Sequence, residues 1–139
     1  MMAEWRHART GVLAALAVFA GAMWFAFLGW DQEYYEVDGV TQGPYRPWQV
    51  IACGAAIVGA ATVAFLYLRH VWLLAVIPAV AVLGFAVPWA AWASQDSTGL
   101  WLVGLILLVG GGMMGLTVWL ALVFAASEIA RTRRARRAG

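Results

Sequence analysis

The chain of 139 residues has room for one domain, but its composition is unlike that of a soluble protein. Hydrophobic residues make up 64% of it and charged residues 12%, against roughly 45–50% and about 25% in soluble globular domains. A soluble fold of this size would leave much of that apolar area exposed to water, so the composition excludes the soluble globular class. The formal net charge of +2 averages over a very uneven distribution of charge along the chain.

The first apolar run, residues 11–30, contains no charged residue. Since about 20 helical residues cross roughly 30 Å of hydrocarbon, the run is predicted to be a transmembrane helix. Arg6 and Arg9, followed by residues 12–19 and the Ala-Gly-Ala triplet at 20–22, also resemble a signal peptide with its cleavage site. The run continues well beyond the length of a signal-peptide core, which favours an uncleaved helix over a mature start at Met23.

Three further charge-free runs are predicted to span the bilayer: 48–68, 71–93 and 100–127. Arg69 and His70 alone separate the second from the third, which predicts a tight antiparallel turn. A short link, 94–99, joins the third to the fourth, and its Asp96 or Ser97 is expected to cap the fourth helix. Such short links favour an up-down-up-down bundle.

The outer loop, residues 31–47, carries a hairpin signal between the first two helices. Asp38-Gly39 is typical of a type I′ turn, because both central positions of that turn need positive φ. The flanking segments, 33–37 and 40–45, contain the strand-favouring residues Tyr, Val and Thr. This register pairs Val37 with Val40 and places Tyr35, Val37 and Val40 on one face, which we expect to cover the end of the bundle.

Charge alternates between the two sides of the predicted bundle. One side carries eight of the nine arginines: Arg6, Arg9, Arg69, Arg131, Arg133, Arg134, Arg136 and Arg137. The other side carries Arg46 and five carboxylates: Asp31, Glu33, Glu36, Asp38 and Asp96. The positive-inside rule therefore predicts a multi-pass protein of the plasma membrane with both termini cytoplasmic. The use of arginine without lysine is typical of GC-rich genomes and favours a bacterial source.

The predicted fold is thus an all-α integral membrane protein, one domain over residues 1–139. It consists of a four-transmembrane-helix up-down bundle, a short extracytoplasmic β-hairpin between helices 1 and 2, and a basic cytoplasmic tail, 128–139. Pro78 and Pro88 are expected to kink the third helix, because each removes a backbone hydrogen bond.

Small residues form stripes on the second and fourth helices. The glycines predicted to mediate helix packing are Gly54, Gly59, Gly104, Gly111 and Gly115. Small side chains let helix backbones approach closely, which drives association where lipid removes the hydrophobic force between helices. The pattern does not distinguish packing within the chain from packing against a partner.

No Asp, Glu, Lys, Arg or His lies within the apolar runs, which argues against a proton-coupled pump or a charge-lined channel. No catalytic constellation is recognisable, and the single cysteine, Cys53, excludes an intramolecular disulfide. His7 and His70 alone are too few for a structural metal site, and the acidic outer loop lacks the spacing of a calcium loop. We therefore expect no enzyme activity, no cofactor and no metal.

The basic tail is expected to lie against an anionic inner leaflet. Its arginines are Arg131, Arg133, Arg134, Arg136 and Arg137. Each arginine near such a surface contributes about 1 kcal/mol of attraction. Lipid binding and topology account for this run, so no nucleic-acid partner is expected.

Two functions fit this pattern. The first is a non-catalytic multi-pass membrane subunit or interaction protein, which acts by self-association or within a larger membrane complex. The alternative is a carrier or permeation pathway for an apolar small molecule or lipid, with a cavity lined by Trp119, Met113 and Met114. A membrane enzyme that uses His7, His70 and Glu128 is the least favoured of the three.

Overall fold

The computed structural model describes residues 1–30 and 32–139, and these form an antiparallel set of helices with one small hairpin. The elements are α1 (Met2–Phe27), β1 (Tyr35–Val37), β2 (Val40–Gln42), α2 (Pro47–Leu68), α3 (Leu73–Ala93) and α4 (Trp101–Ala138). Each of the helices is long and apolar enough to cross a membrane. The predicted helical architecture and its hairpin are therefore confirmed.

The helices α1 and α4 extend beyond the predicted apolar runs. α1 begins at Met2, and α4 is a single 38-residue helix that includes the whole basic tail. A charge-free run marks the part suited to lipid and does not mark the end of a helix, because Ala, Arg and Glu are strong helix formers. At 1.5 Å per residue α4 is about 57 Å long, roughly twice the thickness of a 30 Å hydrocarbon layer.

Helix α3 is the centre of the fold. It packs against α1, α2 and α4, whereas within the described residues α1 and α4 make no contact with each other. Seven of its residues are buried: Leu73, Ile77, Pro78, Ala81, Val82, Ala86 and Ala93. α4, in contrast, buries only Leu116 and Leu120. The fourth helix is consequently attached along one narrow edge and exposes most of its apolar surface.

The closest backbone approach joins α1 to α3. A Cβ on Gly84 would lie 2.5 Å from Ala17 O, and one on Gly21 would lie 3.1 Å from Gly84 O. Pro88 stands four residues after Gly84 and has no N–H, so it cannot donate to that carbonyl as a helical residue would. The Gly84 oxygen is thus free to face the α-carbon of Gly21, an arrangement typical of close helix pairs. α3 remains one continuous helix through both prolines.

The core lies mainly in the half of the bundle that carries the arginines. Its buried members come from every helix: Leu16, Ala61, Ala64, Phe65, Leu73, Ile77, Ala81, Leu116 and Leu120. A second, smaller cluster of Trp24, Leu28 and Cys53 lies toward the hairpin. Ile57 packs against both clusters and links them.

The hairpin has the predicted register. Val37 pairs with Val40 and Tyr35 with Gln42, and the turn residues Asp38 and Gly39 have φ of 52° and 79°. The strands are shorter than predicted, at three residues each.

The expected cap of α4 by Asp96 or Ser97 is wrong. The helix starts later, at Trp101, and no side-chain cap is found for it among the described residues. The Asp96 carboxylate instead accepts hydrogen bonds from Thr98 N (3.1 Å) and Thr98 Oγ1 (2.6 Å). Asp96 therefore closes a local turn in the link before α4, as Asp side chains often do.

Replacing Gly84 with alanine is expected to destabilise the protein by about 1–3 kcal/mol or more, because the new methyl group overlaps the α1 backbone. The free energy of unfolding in mixed detergent micelles measures this change. Gly59→Ala is the matched control, since no described atom lies within 4 Å of a Cβ there. An equal loss of stability in both variants would contradict the α1–α3 contact.

Candidate functional site

A cleft opens between α2, α3 and α4 near the middle of the helices. We call it the glycine cleft, and its volume is about 360 Å³. Three helices form its walls, together with Leu28, which follows α1. The lining residues are Val50, Cys53, Gly54, Ile57 and Val58 of α2, Ala81, Val82 and Phe85 of α3, and Leu108, Gly111, Gly112, Gly115 and Leu116 of α4. The described lining residues are apolar and none of them is charged, so the cleft suits an apolar occupant.

The glycines on the walls leave this space open. No described atom lies within 4 Å of a Cβ built on Gly54, Gly111 or Gly115. Only Gly112 at this level meets another helix, through Val82 Cγ2 at 3.0 Å. The absence of side chains here therefore produces a gap and not a close helix–helix contact.

The other predicted packing glycines lie outside the cleft. A Cβ on Gly104 would lie 3.0 Å from the Trp89 ring, which ties the start of α4 to α3, whereas Gly59 faces open space. The close contacts with the backbone of another helix are made by Gly21 and Gly84, which are outside the predicted set. The proline four residues after Gly84 was the one sequence signal that distinguished this glycine.

A hydrogen bond between helices anchors α4 on the arginine side of the cleft. Trp119 Nε1 donates to Thr62 Oγ1 (2.9 Å), and the Thr62 hydroxyl donates to Val58 O (2.7 Å). Leu116, three residues before Trp119, and Leu120, the residue directly after it, are buried. Since water is absent from an apolar environment, such a bond holds α4 at a defined distance from α2.

The predicted lining of an internal cavity is wrong. Trp119 donates a hydrogen bond to Thr62, and Met114 is 70% exposed. None of Trp119, Met113 and Met114 lines the glycine cleft. The cleft lies on the neighbouring face of α4. Because α4 is apolar on all sides, its sequence does not indicate which face turns inward.

The outer-loop residues predicted to cover the bundle are largely exposed. Val37 and Val40 are 47% and 59% accessible, so they do not cover it. Tyr35 is half-buried, and the Arg46 guanidinium lies over its ring at 5.8 Å. Of the acidic loop residues, Glu33, Glu36 and Asp38 are exposed, and Asp31 lies outside the described residues.

The arginines of the tail all lie on the exposed end of α4. Arg131 pairs with Glu128 at 3.0 Å, and this exposed pair contributes at most about 1 kcal/mol. Arg133, Arg134 and Arg137 share one face beside Ile129. Arg69 and Arg131 border the same small cavity, so the α2–α3 turn and the tail meet at one end. His7 and His70 are exposed, and the His70 ring lies 6.0 Å from that of Trp72.

The hairpin end of the bundle holds buried polar atoms without a partner among the described residues. These atoms are Trp24 Nε1, Gln32 Oε1 and Tyr45 Oη. Burial raises the pKa of the Tyr45 phenol to about 12, Tyr34 adds to the rise, and the nearby Trp24 indole N–H offsets part of it. Buried groups of this kind are unusual in native structures and indicate a place for water or a ligand.

The raised pKa of Tyr45 predicts a loss of stability in alkali. Below pH 10.0 the phenol is neutral in both states; between pH 10.0 and about 12 only the unfolded chain ionises, which favours unfolding. Tyr45→Phe is expected to reduce this loss. Thermal denaturation from pH 9 to about 12 measures it, with Tyr67→Phe as the control, and equal slopes in Tyr45→Phe and the unmodified chain would contradict the assignment.

Comparisons with protein-family models, curated proteins and solved structures found no match to this chain. The inference of function therefore rests on the residues of the chain and on their geometry. Two features are available for it: the glycine cleft in the middle of the helices, and the polar and aromatic groups at the hairpin end.

Proposed function

We propose that the chain is an integral membrane protein in which α1, α2, α3 and α4 each cross the plasma membrane once. Their length and apolar composition support this proposal. The exposure of apolar side chains supports it as well: Val18, Val63, Ile106 and Leu107 are each about 70% accessible. Such a surface is stable against lipid and would aggregate in water.

The charges support an orientation with both termini in the cytoplasm. The helix ends that carry the arginines lie together, as the cavity shared by Arg69 and Arg131 illustrates. The opposite end carries the acidic hairpin and the link with Asp96. Arginine is retained on the cytoplasmic side during insertion, and the tail arginines, Arg131 to Arg137, would then lie against anionic lipid headgroups.

Labelling of introduced cysteines tests this orientation. In a Cys53→Ser background, Ser97→Cys in the α3–α4 link is expected to react with an impermeant maleimide on intact cells. Ala135→Cys in the tail is expected to react only after the membrane is made permeable. The reverse pattern would contradict the orientation, and labelling of both sites on intact cells would contradict the four-span topology.

We further propose that the protein is a non-catalytic membrane subunit that binds a transmembrane helix, of a second copy or of another protein, at the glycine cleft. The observation that carries this proposal is the open space at Gly54, Gly111 and Gly115 on two helices that flank one cleft. Glycine weakens a helix by about 1 kcal/mol relative to alanine, and no contact within the chain offsets that cost at these positions. Close approach of a partner backbone would offset it.

Large substitutions at the cleft test the proposal. Gly111→Leu with Gly115→Leu meets no described atom of the same chain within 4 Å of either Cβ. In a tight interface the added side chains cost about 1–3 kcal/mol, so the association constant is expected to fall about five- to 150-fold. Single-molecule photobleaching in lipid bilayers measures self-association, and co-purification from native membranes measures other partners.

Gly110→Leu and Gly59→Leu are the matched controls, because both positions face open space and neither lines the cleft. They are expected to leave association unchanged. A wild-type protein that is strictly monomeric and without a co-purifying subunit would contradict the proposal. Equal loss of association in the controls would show that the cleft is not the interface.

The volume of the glycine cleft favours a second function, a carrier for an apolar small molecule or lipid. About 360 Å³ falls within the range of roughly 300–1,000 Å³ that is usual for small-molecule sites. Native mass spectrometry distinguishes the two functions. A wild-type monomer that retains an apolar molecule, which the Gly111→Leu and Gly115→Leu variant loses, would favour the carrier over the subunit.

A further inference from the structure

A second cavity, of about 450 Å³, lies at the hairpin end and is separate from the glycine cleft. Aromatic rings and one carboxylate form most of its wall: Tyr34, Tyr45, Trp89, Trp92, Trp101 and Asp96. We call it the aromatic pocket. It draws its residues from the loop before α2, from the end of α3 and from the start of α4, so it forms only when these segments come together.

The tryptophans of the aromatic pocket differ from the other tryptophans at this end. Trp30 and Trp48 are 63% and 53% exposed, as expected for rings that face the membrane interface. Trp89, Trp92 and Trp101 are only partly exposed and border a common space. The Tyr45 and Trp92 rings lie 6.1 Å apart and are inclined by 57°, so they form two adjoining walls.

The electrostatics of the aromatic pocket favour a cation. Hydrogen bonds from the Thr98 side chain and backbone lower the pKa of Asp96, so this residue is a carboxylate at neutral pH. None of the described lining residues is basic, and the nearby Arg46 guanidinium is held over the Tyr35 ring.

We propose that the aromatic pocket binds an alkylammonium cation of the choline type. The faces of tryptophan and tyrosine rings attract such cations through their quadrupoles, and the attraction grows when the cation is partly desolvated. Asp96 adds a negative charge at the rim of the pocket. A quaternary ammonium group needs no hydrogen-bond acceptors, which matches a wall made mainly of ring carbon.

Fluorine NMR of protein labelled with 5-fluorotryptophan, in a maltoside detergent that contains no ammonium group, tests the proposal. Choline is expected to cause saturable shifts in the resonances of Trp89, Trp92 and Trp101. Its uncharged isostere 3,3-dimethylbutan-1-ol is expected to cause none. Equal shifts with both compounds would reveal a merely apolar cavity, and no saturable shift with choline would also overturn the proposal.

Two substitutions locate the binding. Trp92→Leu keeps apolar bulk but removes a ring face, and Asp96→Asn keeps the shape of the side chain but removes its charge. Each is expected to weaken choline binding about three- to tenfold. Trp48→Leu is the matched control, since this ring is at the same end but outside the aromatic pocket. Unchanged choline affinity in both single variants would overturn the proposal. If one variant folds poorly, unchanged affinity in the other is sufficient to overturn it.

The ammonium group could belong to a free solute or to a lipid headgroup, and reconstitution distinguishes these sources. In nanodiscs of phosphatidylglycerol, which has no ammonium group, added choline is expected to bind as it does in maltoside. If phosphatidylcholine nanodiscs block that binding, the lipid headgroup is the ligand. If binding is equal in both, the ligand is a free cation. Absence of binding in phosphatidylglycerol nanodiscs would overturn the proposal.

Discussion

The backbone contact between α1 and α3 at Gly84 organises the whole molecule. The Gly84 carbonyl oxygen cannot accept the usual helical hydrogen bond, because Pro88 has no N–H, and it faces Gly21. Since neither glycine carries a side chain, the two helices approach more closely than a Cβ would permit. With α1 held on one side of α3, α4 occupies the other side and does not meet α1 in the described part of the chain. The fourth helix is therefore left with a long apolar surface and few contacts.

This asymmetry produces the glycine cleft. α4 is attached to α2 through Trp119 and Thr62 on the arginine side, and to α3 through the contacts of Gly104 and Gly112. Between these attachments the glycine faces of α2 and α4 stand apart. The fourth helix is thus held at the levels of Gly104, Gly112 and Trp119, while no described atom lies within 4 Å of a Cβ on Gly111 or Gly115.

The glycine cleft and the aromatic pocket differ in the polarity of their linings and in their position along the helices. The cleft is apolar, mid-bundle and free of charge, and it suits another helix or an apolar molecule. The aromatic pocket lies at the acidic end, where aromatic rings and the Asp96 carboxylate border a common space.

The sequence by itself determined the number of apolar helices, the turn at Asp38-Gly39 and the separation of charge between the two ends. Each follows from local chemistry: an apolar run must satisfy its backbone internally, and positive φ at adjacent positions needs residues that tolerate it. The tertiary structure alone decided that Gly84 packs while Gly54 and Gly111 remain open. A glycine in contact and a glycine facing a gap look the same in sequence, and helices that are apolar on every face carry no periodic signal of the buried side.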